Sequence, residues 1–336
     1  MKSMLTSSAA VVAGLAVVLT SAAACGDAAG AKGGGKGKVT LMLNFYPYGD
    51  HVPYYFGKKK GIFDRHGIDL KIVPGKGSNA VAQTVAAGKA DFGVVDTAAV
   101  LTSVDAGVKV KSIGSFFQTS PSAVQFFSGS GIAKPQDLKG KTVALTSGDP
   151  YADVLPAFLK ANGVPAGEVK TVNVQPAAKI AAVISGKADA LVGFISDQGP
   201  TITEKAGKPT GYLLFSDWGV KTLGTGLVAS DKTLAGDTKL ATSLWKATSE
   251  SFAAAVKEPD AAVASMDGAS PSLPSAKVLT EQWKRASRLL HTQRTASAAP
   301  GVNDEADWND TIKLFAGLGV IASAKPAATY WKPVGR

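Results

Sequence analysis

Residues 85–91 read Val-Ala-Ala-Gly-Lys-Ala-Asp, and residues 183–189 read Val-Ile-Ser-Gly-Lys-Ala-Asp. Each string closes an apolar-periodic stretch with a glycine and opens a new apolar run. Glycine takes the left-handed conformation that ends a helix without the steric cost other residues meet. Gly88 and Gly186 therefore each predict a helix stop followed directly by a strand.

Working outward from the first string, 39–43 reads as a buried strand, 44–50 as a loop, and 51–60 as a helix stopped by Gly61. A strand at 68–73, a loop containing Gly75 and Gly77, a helix at 78–87 and a strand at 91–95 follow. The second string sits in the same order: strand 142–146, loop 147–150, helix 151–162, strand 169–174, helix 176–185 and strand 188–194. Strands alternating with helices predict parallel sheets covered on both faces. Two such units predict two doubly wound α/β lobes.

From about residue 225 the pattern changes to long helical stretches, at 240–256, 260–266, 275–290 and 304–318. The expected use of this tail is to pack back on the first lobe, with the chain crossing between lobes near 118–125 and 218–226. Lobe 1 is then 39–122 with 226–336, and lobe 2 is 123–225.

The N-terminus carries a different message. Met1-Lys2, an apolar run from Ala9 to Leu19 and the small residues before Cys25 read as a signal peptide over 1–24. The run is too short for a spanning helix, which needs about 20 apolar residues. Cys25 is the only cysteine in the chain and stands where a lipoprotein signal peptidase would leave it first. The expectation is a lipid on Cys25 and a flexible Gly/Ala/Lys linker over 25–38. Ala22-Ala23-Ala24 also satisfies ordinary cleavage, which leaves free secretion as the alternative.

The net charge of +10 invites a nucleic-acid reading. The lysines are spread thinly beyond the linker, however, with no basic run interleaved with aromatics, so no nucleic-acid partner is expected. The three histidines, His51, His66 and His291, are too scattered for a zinc motif. No phosphate loop or nucleophile elbow occurs either. No metal, no cofactor and no catalytic residue is expected.

In open α/β sheets, ligands bind beyond the carboxyl ends of the strands. That places the candidate site on 44–50, 75–79, 96–97, 147–151 and 196–198. Phe45, Tyr46 and Tyr48 crowd three aromatics into one loop, offering flat faces for stacking on a ring. His51 either bonds a ligand or pins its own loop. Asp96 and Asp197 follow matching strands, where a carboxylate either accepts from a ligand or caps a helix. Asn44, Ser78, Asn79 and Thr97 share these loops, while Gln118, Tyr151, Trp218 and Thr225 fall at the expected mouth or hinge. Lys76 is the only lysine in these loops, and they hold no arginine.

The run Leu43-Asn-Phe-Tyr-Pro-Tyr-Gly-Asp-His-Val-Pro-Tyr-Tyr55, with Lys60-Gly-Ile-Phe63, Gly67-Ile-Asp-Leu70 and Gly88-Lys-Ala-Asp-Phe92, resembles solute-binding proteins related to fungal thiamine-pyrimidine synthase. That family shades into the nitrate, sulfonate and taurine binding proteins. The resemblance implies a type II periplasmic-binding-protein fold closing on a small molecule and delivery to an ABC-transporter permease; with the signal peptide and Cys25, a monomer on the outer face of a bacterial membrane is expected. It implies stacking by Phe45. Pyrimidine-binding members have an asparagine where this chain has Tyr48, and a glutamate near the position of Asp197. An aromatic or heteroaromatic ligand is expected, with a sulfonate, taurine or nitrate oxyanion as the alternative. The synthases carry a cysteine-rich segment that has no counterpart here, so a binding protein is expected rather than an enzyme.

Overall fold

The computed structural model describes residues 37–146, 149–175 and 178–335. The expected signal peptide and Cys25, with its lipid, lie outside the described residues. So does all of the expected linker but its last two positions.

Ten strands are assigned among the described residues: β1 Gly37–Met42, β2 Ile68–Val73, β3 Phe92–Asp96, β4 Val110–Ser115, β5 Ser122–Phe127, β6 Thr142–Leu145, β7 Lys170–Asn173, β8 Ala190–Phe194, β9 Thr210–Leu214 and β10 Thr225–Ser230. They form two five-stranded sheets, in the orders β2-β1-β3-β10-β4 and β7-β6-β8-β5-β9. Position by position the two orders match. β1 begins ahead of its expected start because parallel pairing with Ile68 and Asp69 captures Gly37 and Lys38.

The repeated heptapeptides fold alike. Gly88 and Gly186 both have positive φ, 69° and 73°. The aspartates that end the strings then make equivalent bonds. Asp91 Oδ2 accepts from the Thr40 amide of β1 at 2.7 Å, and Asp189 Oδ2 accepts from the Thr142 amide of β6 at 2.8 Å. Each string thus stops a helix and fixes where the next strand meets its parallel neighbour, β1 in one sheet and β6 in the other.

The sheets are mixed rather than all parallel, which corrects the expectation. β1 runs parallel to β2 and β3, and β6 parallel to β7 and β8, but β10 is antiparallel to β3 and β4, and β5 to β8 and β9. The antiparallel strand in each sheet is the one entered just after the chain passes from the other sheet, between β4 and β5 and between β9 and β10. Arriving from the opposite side, it inserts against the direction of its neighbours.

Strand periodicity explains the packing. Val94 and Leu227 join one apolar cluster and their chain neighbours Val95 and Val228 join another, as alternation demands of a sheet buried on both faces. Val81 and Val85 of helix Ser78–Ala86 cover one side, and Leu244 and Phe252 of helix Thr238–Lys257 cover the other. Burying such a side chain contributes about 1.5–3 kcal/mol. In the second sheet, Val143 and Val192 face Val154 and Phe158, while Ala144 and Leu191 face Val183 and Ile202.

The tail does more than return to the first sheet. Helix Ala276–Ala286 bridges toward the second, with Gln282 Nε2 donating to the Asp197 carbonyl at 2.9 Å and Arg285 Nη1 to the Ile195 carbonyl at 3.3 Å.

Candidate functional site

Two loops zip together beyond β1 and β2. The Gly75 amide donates to the Phe45 carbonyl at 3.1 Å and the Gly77 amide to the Asn44 carbonyl at 2.8 Å. A side chain at position 75 would collide with the Leu43 carbonyl, so glycine is required there. The paired loops form one wall of a cavity of about 100 Å³. On this wall stand Asn44, Phe45, Tyr48, Lys76, Gly77 and Ser78. The opposite wall, from the second sheet, holds Thr146, Asp149, Lys179, Gly193, Phe194, Asp197 and Gln198.

Phe45 is half-buried and lies on the cavity wall, its ring centroid 4.2 Å from that of Tyr46. Tyr46 reaches across between the lobes. Its hydroxyl donates to Asp197, 3.0 Å from Oδ1 and 3.1 Å from Oδ2. Burial, and then the Asp197 charge, push the Tyr46 hydroxyl far above the usual phenol range.

Asn44 and Tyr48 are oriented by His51. The His51 Nδ1 accepts from the Tyr48 amide at 3.3 Å, which leaves Nε2 protonated to donate to Asn44 Oδ1 at 2.7 Å. The Asn44 amide nitrogen then donates to the Tyr48 hydroxyl at 3.3 Å. Burial lowers His51 to about 3, so the imidazole is neutral. His51 pins its own loop and is not on the cavity wall. Behind it, burial pushes the Asp50 carboxyl up to about 7, against the opposing influence of the Ser196 and Tyr48 hydroxyls.

The two aspartates that end matching units part company. Asp96 Oδ1 accepts from the Ala98 amide at 2.8 Å and so caps helix Thr97–Asp105. It also accepts from the Tyr151 hydroxyl at 2.8 Å, which in turn accepts from Ser120 at 2.8 Å. Asp197 occupies the corresponding position of helix Gln198–Ala206, yet its side chain makes no cap bond. Its carboxylate faces the cavity instead, held by Tyr46 and the Gln198 amide. Burial is the first cause that pushes Asp197 up to about 7, against the bond from Tyr46 and the charge of Lys179.

Asn44, Phe45, Tyr48, Ser78 and Asp197 thus meet on the cavity wall, with Tyr46 bridging to Asp197. Several other candidates are not on that wall. Asp96, Thr97, Tyr151 and Thr225 are buried where the sheets are joined: Thr97 Oγ1 donates to the Gly224 carbonyl at 2.6 Å, and Thr225 pairs with Asp96. Gln118 Nε2 donates to the Val302 carbonyl at 2.9 Å, at the crossing between β4 and β5. Trp218 packs on the core, its carbonyl accepting from Asn162 at 3.0 Å. Asn79 is half-buried beside Ser78.

Lys179 was not among the candidates, and Lys76 is not the only lysine at the site. Lys179 lies within helix Lys179–Ile184, where a lysine ordinarily marks a solvated face; its apolar neighbours Ile180 to Ile184 were the available signal. Asp149 and Gln198 belong to loops that were selected, and Thr146 ends the expected strand before one of them, but these residues carried no distinguishing pattern. Among the described residues, no group of three or more His, Cys, Asp or Glu side chains is arranged to hold a metal ion. No helix among them is long and apolar enough to cross a membrane.

The profile of the NMT1/THI5-like family matches residues 48–262, and the chain belongs to that family. The Saccharomyces cerevisiae 4-amino-5-hydroxymethyl-2-methylpyrimidine phosphate synthase THI5 is 31% identical over 107 residues, 32% of this chain and 32% of the relative. The match therefore spans about a third of the length of such relatives. Among solved structures, the Escherichia coli periplasmic aliphatic sulphonate binding protein SsuA superposes with a TM-score of 0.67 at 16% identity, covering 89% of this chain and 93% of that one. The periplasmic nitrate-binding protein NrtA from Synechocystis does so with a TM-score of 0.67 at 12% identity, covering 88% and 86%. These likenesses show the fold, two mixed-sheet α/β lobes of the periplasmic-binding-protein kind.

Proposed function

We propose that this NMT1/THI5-like chain is the solute-binding component of an ABC importer, taking a small aromatic or heteroaromatic molecule between its lobes as they close. The observation that carries this reading is the cavity walled from both sheets, with the Phe45 ring on one side and the Asp197 carboxylate, free of any capping duty, on the other. An aromatic face gives contact area with few rotors to freeze. A buried carboxylate supplies a strong acceptor for a ring amine or imide. Pyrimidine or thiamine-precursor chemistry fits this pair, and the names of the synthase relatives point the same way.

The names of the structural neighbours favour a second reading, a sulfonate or nitrate ligand. Lys76 and Lys179 on the wall support it, whereas Asp149 and Asp197 oppose an anion. A synthase activity would rest on a match that spans about a third of the relatives, and we read the chain as a binder rather than an enzyme. We further propose that it works outside the cell, anchored by lipid on Cys25. Intact mass of membrane-extracted protein, compared with Cys25→Ala, tests the anchor.

A melting screen over aminopyrimidines, thiamine precursors, flavins, aromatic acids and sulfonates tests the ligand class. Ligand at about 100 times its dissociation constant adds about 2.7 kcal/mol. Stabilisation by aliphatic sulfonates alone would overturn the ring-binding reading.

A further inference from the structure

We propose that Lys179 is a specificity-determining residue of the cleft, selecting ligands that present a hydrogen-bond acceptor, such as a ring nitrogen or carbonyl, over ligands of similar shape that lack one. The proposal rests on the ring-binding reading above.

Lys179 is only 4% exposed, yet it lies on the cavity wall. Its Nζ donates to Asp149 Oδ2 at 2.9 Å and to the Val192 carbonyl at 2.9 Å. An ammonium has three N–H donors. Among the described residues, these two acceptors leave the third N–H for the cavity. Asp149 is fully engaged as well, since its Oδ1 accepts from the Tyr151 amide at 3.1 Å. The pair is therefore held rigidly by the loop after β6 and by β8, and a ligand acceptor completes the ammonium's shell without displacing anything.

Stability alone does not account for such a pair. Removing two charges from water is costly, and an apolar pair of similar volume often serves as well. What the ion pair adds is a directed donor on the same cavity wall as the acceptor Asp197, whose carboxylate feels the Lys179 charge. The charges on the wall also decide which acceptors suit it. Asp149 and Asp197 stand on the wall beside Lys76 and Lys179, so an anion there meets carboxyl groups as well as ammonium groups. A full anion meets like charge there, and unpaired or repelled charge is how a site rejects the wrong ligand. A neutral acceptor takes the N–H without that repulsion.

The test is calorimetric titration of the full chain with 4-aminopyrimidine, which has an amine and ring acceptors, with aniline, which has the same amine and no ring acceptor, and with methanesulfonate. Wild type is expected to bind 4-aminopyrimidine at least about tenfold more tightly than aniline, the effect of a single good hydrogen bond. In Lys179→Met that ratio is expected to fall to about one, chiefly by loss of 4-aminopyrimidine binding. The wild-type ratio needs no variant to fold, and Lys179→Arg, which retains donors, supplies a second one. Equal binding of both rings by wild type, or an unchanged ratio in a folded Lys179→Met protein, would overturn the inference alone. Binding of methanesulfonate with neither ring compound would overturn the ring-binding reading and the inference with it.

Discussion

The Tyr46 hydroxyl of one lobe donates to the Asp197 carboxylate of the other, 3.0 Å from one oxygen and 3.1 Å from the second. This bond joins the lobes, alongside those of Gln282 and Arg285 from the tail, and it presents the carboxylate to the cavity. A hydrogen bond to a charged group contributes about 1.5–3 kcal/mol. Tyr46→Phe is therefore expected to open the unliganded protein and to weaken all ligands by a similar factor. Small-angle scattering would show a larger radius of gyration, and an unchanged radius would contradict the role in closure.

His51 is a positioning residue that never carries charge in the neutral range. Its ring protons and carbons are expected to show no titration by NMR between about pH 5 and about pH 8, since burial lowers it from the usual value of about 6.5 to about 3. Replacing it with alanine strands the Asn44 amide and is expected to destabilise the fold by about 1–3 kcal/mol. A denaturant titration measures the loss.

Three buried carboxyls give the closed form a characteristic response to pH. Burial pushes Asp50, Asp96 and Asp197 each up to about 7, above the unfolded value of about 3.9. The folded state binds these protons more tightly, so the associated stability is fully present below the unfolded value and is lost as pH rises through about 7. His51 acts in the opposite direction, losing stability as pH falls from about 6.5 toward about 3, but it is one group against three. The melting temperature of the unliganded protein is expected to fall from about pH 5 to about pH 8. Asp96→Asn, which can still cap its helix, is expected to flatten that slope. A melting temperature that rises over the same range would contradict the burial of these groups as acids.

Gly49 marks how closely the tail approaches the site loop. Its amide donates to Gln282 Oε1 at 2.9 Å, and a Cβ there would run into the Gln282 side chain and the backbone at 282–283. Gly49→Ala is expected to cost about 1–3 kcal/mol as overpacking does. Because Gln282 also holds the Asp197 carbonyl, ligand affinity is expected to fall with it. Stability and affinity that both stay at wild-type levels would contradict the contact.

The elements were legible because their signals are local. Gly88 and Gly186 stop helices by their own conformation, and the aspartates at 91 and 189 latch their strands identically. The antiparallel insertion of β5 and β10 was not legible, since it depends on which side the chain arrives from after a crossing. The same limit applies to the site. Asp96 and Asp197 both precede a helix, but the Asp96 backbone is extended and that of Asp197 is not, and Tyr151 arrives at one and Tyr46 at the other. Lys179 looked like a surface residue because Asp149, which accepts from it in the interior, is 30 positions away.

The most direct test of the central claim is calorimetric titration of 4-aminopyrimidine and unsubstituted pyrimidine into wild type, Phe45→Ala and Asp197→Asn. Stacking is indifferent to ring substituents, so Phe45→Ala is expected to weaken both rings alike, by about 0.5–1.5 kcal/mol beyond the lost contact area. Asp197→Asn is expected to weaken the amine-bearing ring by about 1–3 kcal/mol and to spare the other. Unchanged affinities for both rings in both variants would contradict the claim and place the binding site elsewhere.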